Sequence, residues 1–289
     1  MTRNKKEIIE ISGLSEISDK YNAFLIDLWG VVHNGINLFP DILYLLKKLK
    51  DQNKQVVFIT NAPRRSVTIK EQLNQFGINP SLFSDVISSG EISWLRMKTI
   101  ILDKKNNCFH IGPQRDNHLT EGLNINLVKE PNKTDFILNT GPWGDNDSLE
   151  NYKEILSKLY EFKALMICAN PDKRVIRGKS FMICAGLLAE YYENLGGKVE
   201  YFGKPYFEIY EYGLKLLIET DKKKVLIIGD SLGNDIKGAI NQCIDSLLVT
   251  DGIHRDVNNN KNIDLKKLND LMTKKNIYAN YVIKELTWK

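Results

Sequence analysis

The stretch AFLIDLWGVVHNG, residues 23–35, decides the fold that the sequence predicts. It begins as an apolar, β-rich run, ends that run on the carboxylate of Asp27, and then turns through Trp29 and Gly30. An aspartate directly after a strand is commonly a turn former or a helix cap. Asp27 alone therefore indicates no function, and the question is whether other predicted strands also end on polar groups.

Short β-rich runs alternate with longer segments of helical period along the 289 residues. The candidate strands lie at 23–27, 55–60, 107–111, 135–139, 164–168, 198–202, 224–229 and 246–250. Candidate helices between them include PDILYLLKKLKDQ from residue 40, SVTIKEQLNQFG from residue 66 and FMICAGLLAEYYENLGG from residue 181. This alternation predicts βαβ units, and hence an α/β fold with a mainly parallel sheet.

Polar side chains end three of the predicted strands. Asp27 follows FLI, Thr60 and Asn61 follow VVFI, and Asp230 follows VLIIG. In an open parallel sheet, the carboxyl ends of the strands share one edge, and ligands bind in the crevice beyond it. Residues about 200 positions apart in the sequence are therefore expected to share one site.

The segment GDSLGND, residues 229–235, is the most informative of these strand ends. It places two acids, Asp230 and Asp235, five residues apart at a predicted strand-to-helix turn. That arrangement suits a hard cation held by few carboxylates and several waters. By itself, the segment GKP around Lys204 indicates an ordinary loop. It is not a phosphate-binding P-loop, because it lacks the spaced upstream glycine and the Ser or Thr after the lysine.

Taken in order, DLWGVVHNG, FITNAPR, YFGKPY and IGDSLGNDIKGA resemble the four motifs of the haloacid dehalogenase-like (HAD) hydrolase superfamily. The long insertion between the second and third motifs, which contains CANPD, resembles the class IIA branch of NagD-type and pyridoxal-phosphate-phosphatase-like enzymes. The resemblance runs from about residue 20 to the end of the chain. It implies a Rossmann-like HAD core with a parallel sheet at 1–89 and 199–289, and an inserted α/β cap domain of the C2 type at 90–198.

The resemblance implies a magnesium-dependent phosphatase that acts on a small phosphorylated metabolite. Asp27 would be the nucleophile and form an aspartyl-phosphate, which divides one difficult displacement into two easier steps. Mg²⁺ would bind the Asp27 side chain, the main-chain carbonyl of Trp29 and the Asp230 side chain. Asn234 and Asp235 would order the waters of the metal and the neighbouring loops.

The same resemblance implies where the phosphoryl group and the rest of the substrate bind. The Thr60 side chain, the Asn61 backbone and the Lys204 ammonium would hold the phosphoryl oxygens. Asn170 and Asp172, which belong to CANPD, would contact the leaving group from the cap. These assignments give the catalytic set Asp27, Thr60 and Lys204.

Trp29 departs from the HAD pattern. HAD phosphatases usually carry an aspartate two residues after the nucleophile as general acid and base, and an indole cannot exchange a proton in that role. One reading is a phosphatase with an altered proton-transfer step; His33 is the nearest replacement acid, although a solvent-facing loop histidine is favoured there. A second reading is a binding or regulatory protein for a phosphorylated ligand. A third, ranked lower because Asp230 and Asp235 keep the metal pattern, is a metal-independent dehalogenase.

Composition limits the partners and the compartment. Forty basic and 36 acidic residues give a formal charge of +4, which indicates neither a nucleic-acid nor a membrane partner. The four cysteines are widely spaced and form no CxxC pair, which favours buried free thiols in a reducing compartment. With no apolar stretch of membrane-spanning length, we expect a cytoplasmic protein. The sequence does not decide the oligomeric state, but related capped enzymes often form homodimers through the cap.

Overall fold

The computed structural model describes residues 8–177, 180–259 and 262–289. The chain divides into two compact units. Unit 1 comprises the described parts of Met1–Thr60, Lys70–Ile87 and Tyr210–Lys289, and unit 2 comprises those of Asn61–Ile69 and Ser88–Ile209. The domain limits expected from the sequence, 90–198 for the cap and the flanking residues for the core, stay a prediction.

Short strands build the sheets of both units. In chain order they are β1 (Ile9–Glu10), β2 (Ala23–Ile26), β3 (Gln55–Thr60), β4 (Asp85–Ser88), β5 (Asn107–Ile111), β6 (Asn126–Val128), β7 (Phe136–Asn139), β8 (Leu165–Cys168), β9 (Arg174–Arg177), β10 (Ser180–Ile183), β11 (Val199–Tyr201), β12 (Val225–Gly229), β13 (Asp245–Val249), β14 (Asn258–Asn259), β15 (Asn262–Ile263) and β16 (Tyr281–Ile283).

Helices connect most of these strands. In chain order they are α1 (Ser15–Ser18), α2 (Ile42–Asp51), α3 (Ser66–Gln75), α4 (Ser89–Ile100), α5 (Glu150–Glu161), α6 (Ala185–Asn194), α7 (Phe207–Lys215), α8 (Lys237–Gln242) and α9 (Leu265–Lys275). A π-helical turn, Leu232–Ile236, precedes α8. None of the helices in the described ranges is long and apolar enough to cross a membrane.

The sheet of unit 1 has the strand order β1-β16-β13-β12-β2-β3-β4. Every pairing from β1 to β3 in this order is parallel. Strand β2, which lies between β12 and β3, is fully buried, and its last residue, Ile26, lies opposite Ile228 of β12 and Phe58 of β3. Near-continuous apolar strands are typical of parallel sheets that are covered on both faces. The predicted Rossmann-like α/β fold is confirmed.

Unit 2 has a parallel sheet of its own, in the order β11-β8-β7-β5-β6. Helices α5 and α6 pack on it, and the buried side chains of Tyr152, Leu156, Leu188 and Tyr192 belong to the same apolar core as Ile137 of β7. The predicted α/β architecture of the inserted region is therefore confirmed. Strands β9 and β10, which pair in an antiparallel manner, lie between β8 and α6 in the chain.

The observed elements correct two helix boundaries that the sequence predicted. The helix expected from residue 181 begins only at Ala185, because Ser180–Ile183 form β10 and pair with β9. Cross-strand pairing thus outweighs helical period in this apolar run. The helix expected from Pro40 begins at Ile42, after Asp41 adopts a left-handed conformation with φ of 65°.

Candidate active site and metal centre

Three carboxylates meet at the carboxyl ends of β2 and β12 in unit 1. Asp27 follows β2 directly, Asp230 follows β12 directly, and Asp235 lies on the π-helical turn. Each offers an oxygen within 4.8 Å of the others, and all three residues are buried. Like charges held this close repel one another, and a divalent cation offsets that repulsion. The donor set of carboxylate oxygens fits a hard cation such as Mg²⁺.

Two glycines make room for the Asp230 carboxylate. A Cβ atom on Gly30 would lie 2.2 Å from Asp230 Oδ2, and one on Gly252 would lie 2.1 Å from the same oxygen. Gly30 also has φ of +82°, which residues with a side chain rarely adopt. The Ile253 N–H donates to Asp230 Oδ2 at 2.8 Å. Asp230 is thus held in position by backbone that no larger residue could replace.

Asp235 is held by the turn on which it lies. Its Oδ2 accepts the Ser231 N–H at 3.0 Å, and a Cβ atom on Gly229 would lie 2.0 Å from its Cγ. Asn234, predicted as a neighbour of the metal, donates its N–H to Ser231 Oγ at 3.3 Å. The Asp230 and Asp235 pair predicted from GDSLGND is therefore brought together with Asp27.

Tyr210 supports this turn, and sequence reasoning missed it. Its fully buried hydroxyl donates to the main-chain oxygen of Asn234 at 3.1 Å. Burial, followed by the negative charges of Asp235 and Asp27, raises the pKa of Tyr210 well above its usual value, so the hydroxyl stays a donor. A Cβ atom on Gly238 would lie 2.0 Å from that hydroxyl oxygen. A tyrosine within the apolar period of α7 carries no sequence signal for this role.

Trp29 lies on the turn after Asp27 with 42% of its surface exposed. Its ring packs against the backbone of Gly35, where a Cβ atom would lie 2.3 Å from Cη2. Its ring also meets the edge of His33, with centroids 5.9 Å apart. Trp29 therefore follows Asp27 by two residues in the sequence, but its indole is not an acid that could donate a proton to a leaving group.

The expectation that His33 faces solvent is wrong. His33 is buried, its Nδ1 accepts the Gly35 N–H at 3.0 Å, and its ring packs on Phe76 at 5.1 Å between centroids. Burial lowers the pKa of His33 to about 4, so the imidazole is neutral near pH 7. A neutral ring that uses Nδ1 as an acceptor in the turn is poorly suited to replace the missing general acid.

In unit 2, the Asn61 side chain connects two of the predicted binding segments. Its Oδ1 accepts the Lys204 N–H at 2.6 Å, and its Nδ2 donates to the Lys204 carbonyl at 3.1 Å. Nδ2 also donates to Asp172 Oδ1 at 3.0 Å. Sequence reasoning assigned a role to the Asn61 backbone only. The structure gives its side chain a second one, which is to hold the lysine loop and the CANPD loop together.

The neighbouring residues shape the same two loops. Asn170 Oδ1 accepts the Asp172 N–H at 3.1 Å, which closes a local turn in CANPD. Gly203 has φ of +126°, and a Cβ atom there would lie 2.7 Å from Asn61 Oδ1. Lys204 is buried to 2% exposure. Thr60 is likewise buried, at the end of β3 in unit 1, the strand next to the one that Asp27 follows.

Comparisons with known proteins agree with this architecture. The family described as haloacid dehalogenase-like hydrolase matches residues 24–126, and the family described as HAD-hydrolase-like matches residues 201–285. The 5′-nucleotidase YutF of Bacillus subtilis is 26% identical over 237 residues, 81% of this chain and 88% of the relative. A 4-nitrophenylphosphatase of Schizosaccharomyces pombe is 23% identical over 264 residues, 83% of this chain and 87% of the relative.

A solved structure extends the likeness to nearly the whole chain. The crystal structure of a hydrolase of the haloacid dehalogenase-like family from Brucella suis superposes with a TM-score of 0.82 at 30% sequence identity. The match covers 96% of this chain and 100% of that one. The likeness therefore includes both units and the segment between the two family matches.

Proposed function

Because the chain belongs to the haloacid dehalogenase-like hydrolases, we propose that it is a magnesium-dependent phosphatase acting on a small phosphorylated metabolite. The observation that carries this proposal is the buried cluster of Asp27, Asp230 and Asp235 at the carboxyl ends of adjacent strands. Relatives named as a 5′-nucleotidase and a 4-nitrophenylphosphatase support the phosphoryl chemistry.

Asp27 supplies the nucleophile in this proposal. A carboxylate oxygen of Asp27 attacks phosphorus, the bond from phosphorus to the ester oxygen breaks, and its electron pair leaves with that oxygen. Water then attacks phosphorus in the aspartyl-phosphate, which releases inorganic phosphate and restores the Asp27 carboxylate. Two protons move in the cycle: the departing oxygen gains one and the attacking water loses one.

The carboxylate cluster fits Mg²⁺, and we propose the Asp27 side chain, the Trp29 main-chain carbonyl and the Asp230 side chain as its ligands. Asn234 and Asp235 would order the waters and loops around it. When bound, the ion supplies positive charge that offsets the repulsion between a carboxylate nucleophile and an anionic phosphate. The backbone contacts of Asp230 and Asp235 fix their oxygens before any ion binds, so little reorganisation is needed.

The family resemblance extends the proposal to the substrate. Thr60, Asn61 and Lys204 hold the phosphoryl oxygens, and Asn170 and Asp172 contact the leaving group. Within unit 2, the hydrogen bonds from Asn61 to Lys204 and to Asp172 support the idea that these three residues are positioned together.

Trp29 limits the substrates that this mechanism can use. Because the indole provides no proton, an ester whose alcohol leaves readily as an anion should react faster than an ordinary alkyl phosphate. An enzyme with this property favours leaving groups of low pKa, or substrates that carry their own proton donor.

In a second candidate function, the protein binds a phosphorylated compound but does not hydrolyse it. The observation that favours this function is Trp29, which stands where a phosphatase usually carries its general acid. In that case the protein binds a phosphorylated ligand as a sensor or regulator. A metal-independent dehalogenase fits less well, because the three aspartates form a cation-binding set that such an enzyme does not need.

A panel of phosphorylated metabolites and 4-nitrophenyl phosphate, with and without Mg²⁺, separates these functions. The phosphatase releases phosphate in a magnesium-dependent way, the dehalogenase releases halide from 2-haloacids without metal, and the binding protein binds ligand without turnover. Phosphate release that is absent from every compound in the panel would overturn the phosphatase proposal.

Loss of a metal ligand should raise the magnesium requirement. We expect Asp230→Asn to increase the Mg²⁺ concentration for half-maximal activity by about tenfold or more, since it removes one charge from the buried cluster. The measurement is a magnesium titration of 4-nitrophenyl phosphate turnover. Asp270→Asn, at an exposed site on α9, is the matched control and should leave the titration unchanged. An unaltered magnesium requirement in Asp230→Asn would remove Asp230 from the ligand set.

The side chain of Asn61 should matter as much as its backbone. Asn61→Ala removes three hydrogen bonds that hold the Lys204 and Asp172 loops. We expect kcat/KM for 4-nitrophenyl phosphate to fall by about 10- to 100-fold, because small displacements of binding groups are costly. The control is Asn124→Ala, at an exposed asparagine of unit 2. If Asn61→Ala keeps the wild-type kcat/KM, the side chain has no positioning role.

We also propose a cytoplasmic location and a homodimer. Light scattering after size-exclusion chromatography tests the dimer directly: a mass near the 33.2 kDa of one chain would reject it.

A further inference from the structure

The sheet of unit 2 contains a point at which its strand order reverses. β6 is added on one side of β5, whereas β7, β8 and β11 follow on the other side. In open parallel sheets of this kind, the loops after the two strands at the reversal diverge and leave a crevice beyond their carboxyl ends, where ligands bind. This place belongs to unit 2 alone and involves none of the residues assigned to the carboxylate cluster.

A cavity of about 250 Å³ lies at this reversal. Its walls include His110 and Gly112 at the end of β5, Asn117 after it, Leu127 and Lys129 at the end of β6, and Trp143 after β7. Pockets for drug-sized ligands have volumes of roughly 300–1,000 Å³. A cavity of this size therefore suits a smaller occupant, such as one heterocyclic ring.

One wall of the cavity is polar and preformed. His110 Nδ1 lies 2.9 Å from Asn117 Oδ1, and His110 Nε2 lies 3.0 Å from Thr140 Oγ1. Burial lowers the pKa of His110, so the ring is neutral and contacts Asn117 and Thr140 through its two nitrogens. A Cβ atom on Gly112 would lie 1.9 Å from Thr140 Oγ1, so no side chain fits there. Within the described ranges, the Nδ2 group of Asn117 donates to no protein acceptor, which leaves two N–H donors at the cavity.

Another part of the cavity lining is aromatic and apolar. Trp143 is 45% exposed, although its ring packs on Tyr152 with centroids 4.8 Å apart. Tyr152 is fully buried and fixes the turn, because its hydroxyl donates to Asp147 and accepts the Trp143 N–H. Leu127 adds a second exposed apolar side chain. Because the Trp143 indole is held in place by Tyr152 and is still partly exposed, a planar ring can stack on it.

Lys129 gives this cavity a positive charge. It is exposed, and it makes no ion pair with the residues that the structure describes. A ligand with an anionic substituent next to its ring would therefore be attracted to the Lys129 ammonium. Hydrogen-bond donors, an exposed indole and a cation in one lining together define the chemistry of the occupant.

We propose that this cavity binds a planar nitrogen heterocycle of nucleobase size that carries a negative charge. The ring stacks on Trp143, its carbonyl or ring-nitrogen acceptors receive hydrogen bonds from Asn117, and its anionic group lies near Lys129. The site concerns binding and is independent of the proposed phosphatase activity.

Orotate and uracil are the probes that test this site in the full chain by isothermal titration calorimetry. They share one pyrimidine ring, orotate alone carries a carboxylate, and neither contains a phosphate that could be hydrolysed. We expect saturable binding of both, with orotate bound about fivefold or more tightly. Trp143→Ala should weaken both ligands by about tenfold or more, since stacking on an aromatic ring is lost. Lys129→Gln should remove the advantage of orotate over uracil.

Three control variants separate ligand contacts from general effects of mutation. Trp143→Phe keeps an aromatic face and should bind both probes within about threefold of the wild type. Phe162→Ala and Lys105→Gln change an exposed aromatic residue and an exposed lysine of unit 2 outside the cavity, and should leave binding unchanged. The proposal is overturned if neither probe shows saturable binding at millimolar concentration, or if Trp143→Ala binds them as the wild type does.

Discussion

Asp27→Asn should lose phosphate release by about 10⁴-fold or more, the largest effect expected for any one substitution in this chain. The amide is nearly the same size as the carboxylate, so the buried end of β2 should keep its shape, but its oxygen is a poor nucleophile. The measurement is the turnover of 4-nitrophenyl phosphate with saturating Mg²⁺. This ester has a good leaving group, so the assay tests the nucleophile separately from the acid that Trp29 does not provide.

Two further measurements make the result for Asp27 decisive. Asp270→Asn, an exposed aspartate changed in the same way, should keep wild-type turnover. Rapid acid quench with ³²P-labelled substrate should trap a labelled wild-type chain and leave Asp27→Asn unlabelled. If Asp27→Asn retains turnover, the nucleophile is another group; if wild type and variant are both inert on every ester, the function is binding.

Trp29→Asp should gain activity on unactivated esters. An aspartate at this position can protonate the leaving oxygen and later deprotonate water, a contribution of about 10²- to 10⁴-fold. We therefore expect kcat for glycerol phosphate to rise by about 100-fold or more, and by a larger factor than kcat for 4-nitrophenyl phosphate, whose leaving group needs no proton. The ratio of the two rates is the informative quantity, because it cancels any general loss of folded enzyme.

Trp29→Asn is the matched control for this gain. Both variants remove the ring that packs on Gly35 and His33, but only the aspartate can transfer a proton. Trp29→Asn should therefore show no selective gain on glycerol phosphate. Equal rate ratios in the two variants would mean that the proton-transfer step does not depend on residue 29.

The sequence alone predicted the elements whose pattern lies within one short segment of the chain. Each predicted strand, from AFLI to SLLV, is present, because buried parallel strands are continuous apolar runs that stand out from the helical period around them. Short strands at the edges of the sheets, or next to an edge, were missed: β1, β4, β6 and β16 have two to four residues each and form through pairing with a neighbouring strand. The same reason explains β10, where pairing with β9 replaced a predicted helical turn.

The candidate site likewise contains residues that the sequence predicted and contacts that it did not predict. Asp27, Asp230 and Asp235 were found because parallel strands bring their carboxyl ends to one edge, a rule that needs no coordinates. The burial of His33, the hydroxyl contact of Tyr210 and the side-chain bonds of Asn61 were not found. The Asn61 and Tyr210 contacts join residues between 24 and 143 positions apart, and burial depends on packing that the local sequence does not contain.

The order of strands in unit 1 also has a consequence for how the newly made chain folds. β2 pairs with β3 on one side, but its other neighbour, β12, begins only at Val225, after the whole sheet of unit 2 has been synthesised. At typical translation rates of 5–20 residues per second, roughly 200 residues take about 10–40 s. For that time the apolar strand that leads to Asp27 has an unpaired edge, which is a template for aggregation. The nascent chain should therefore need a chaperone most between the synthesis of β3 and that of β12.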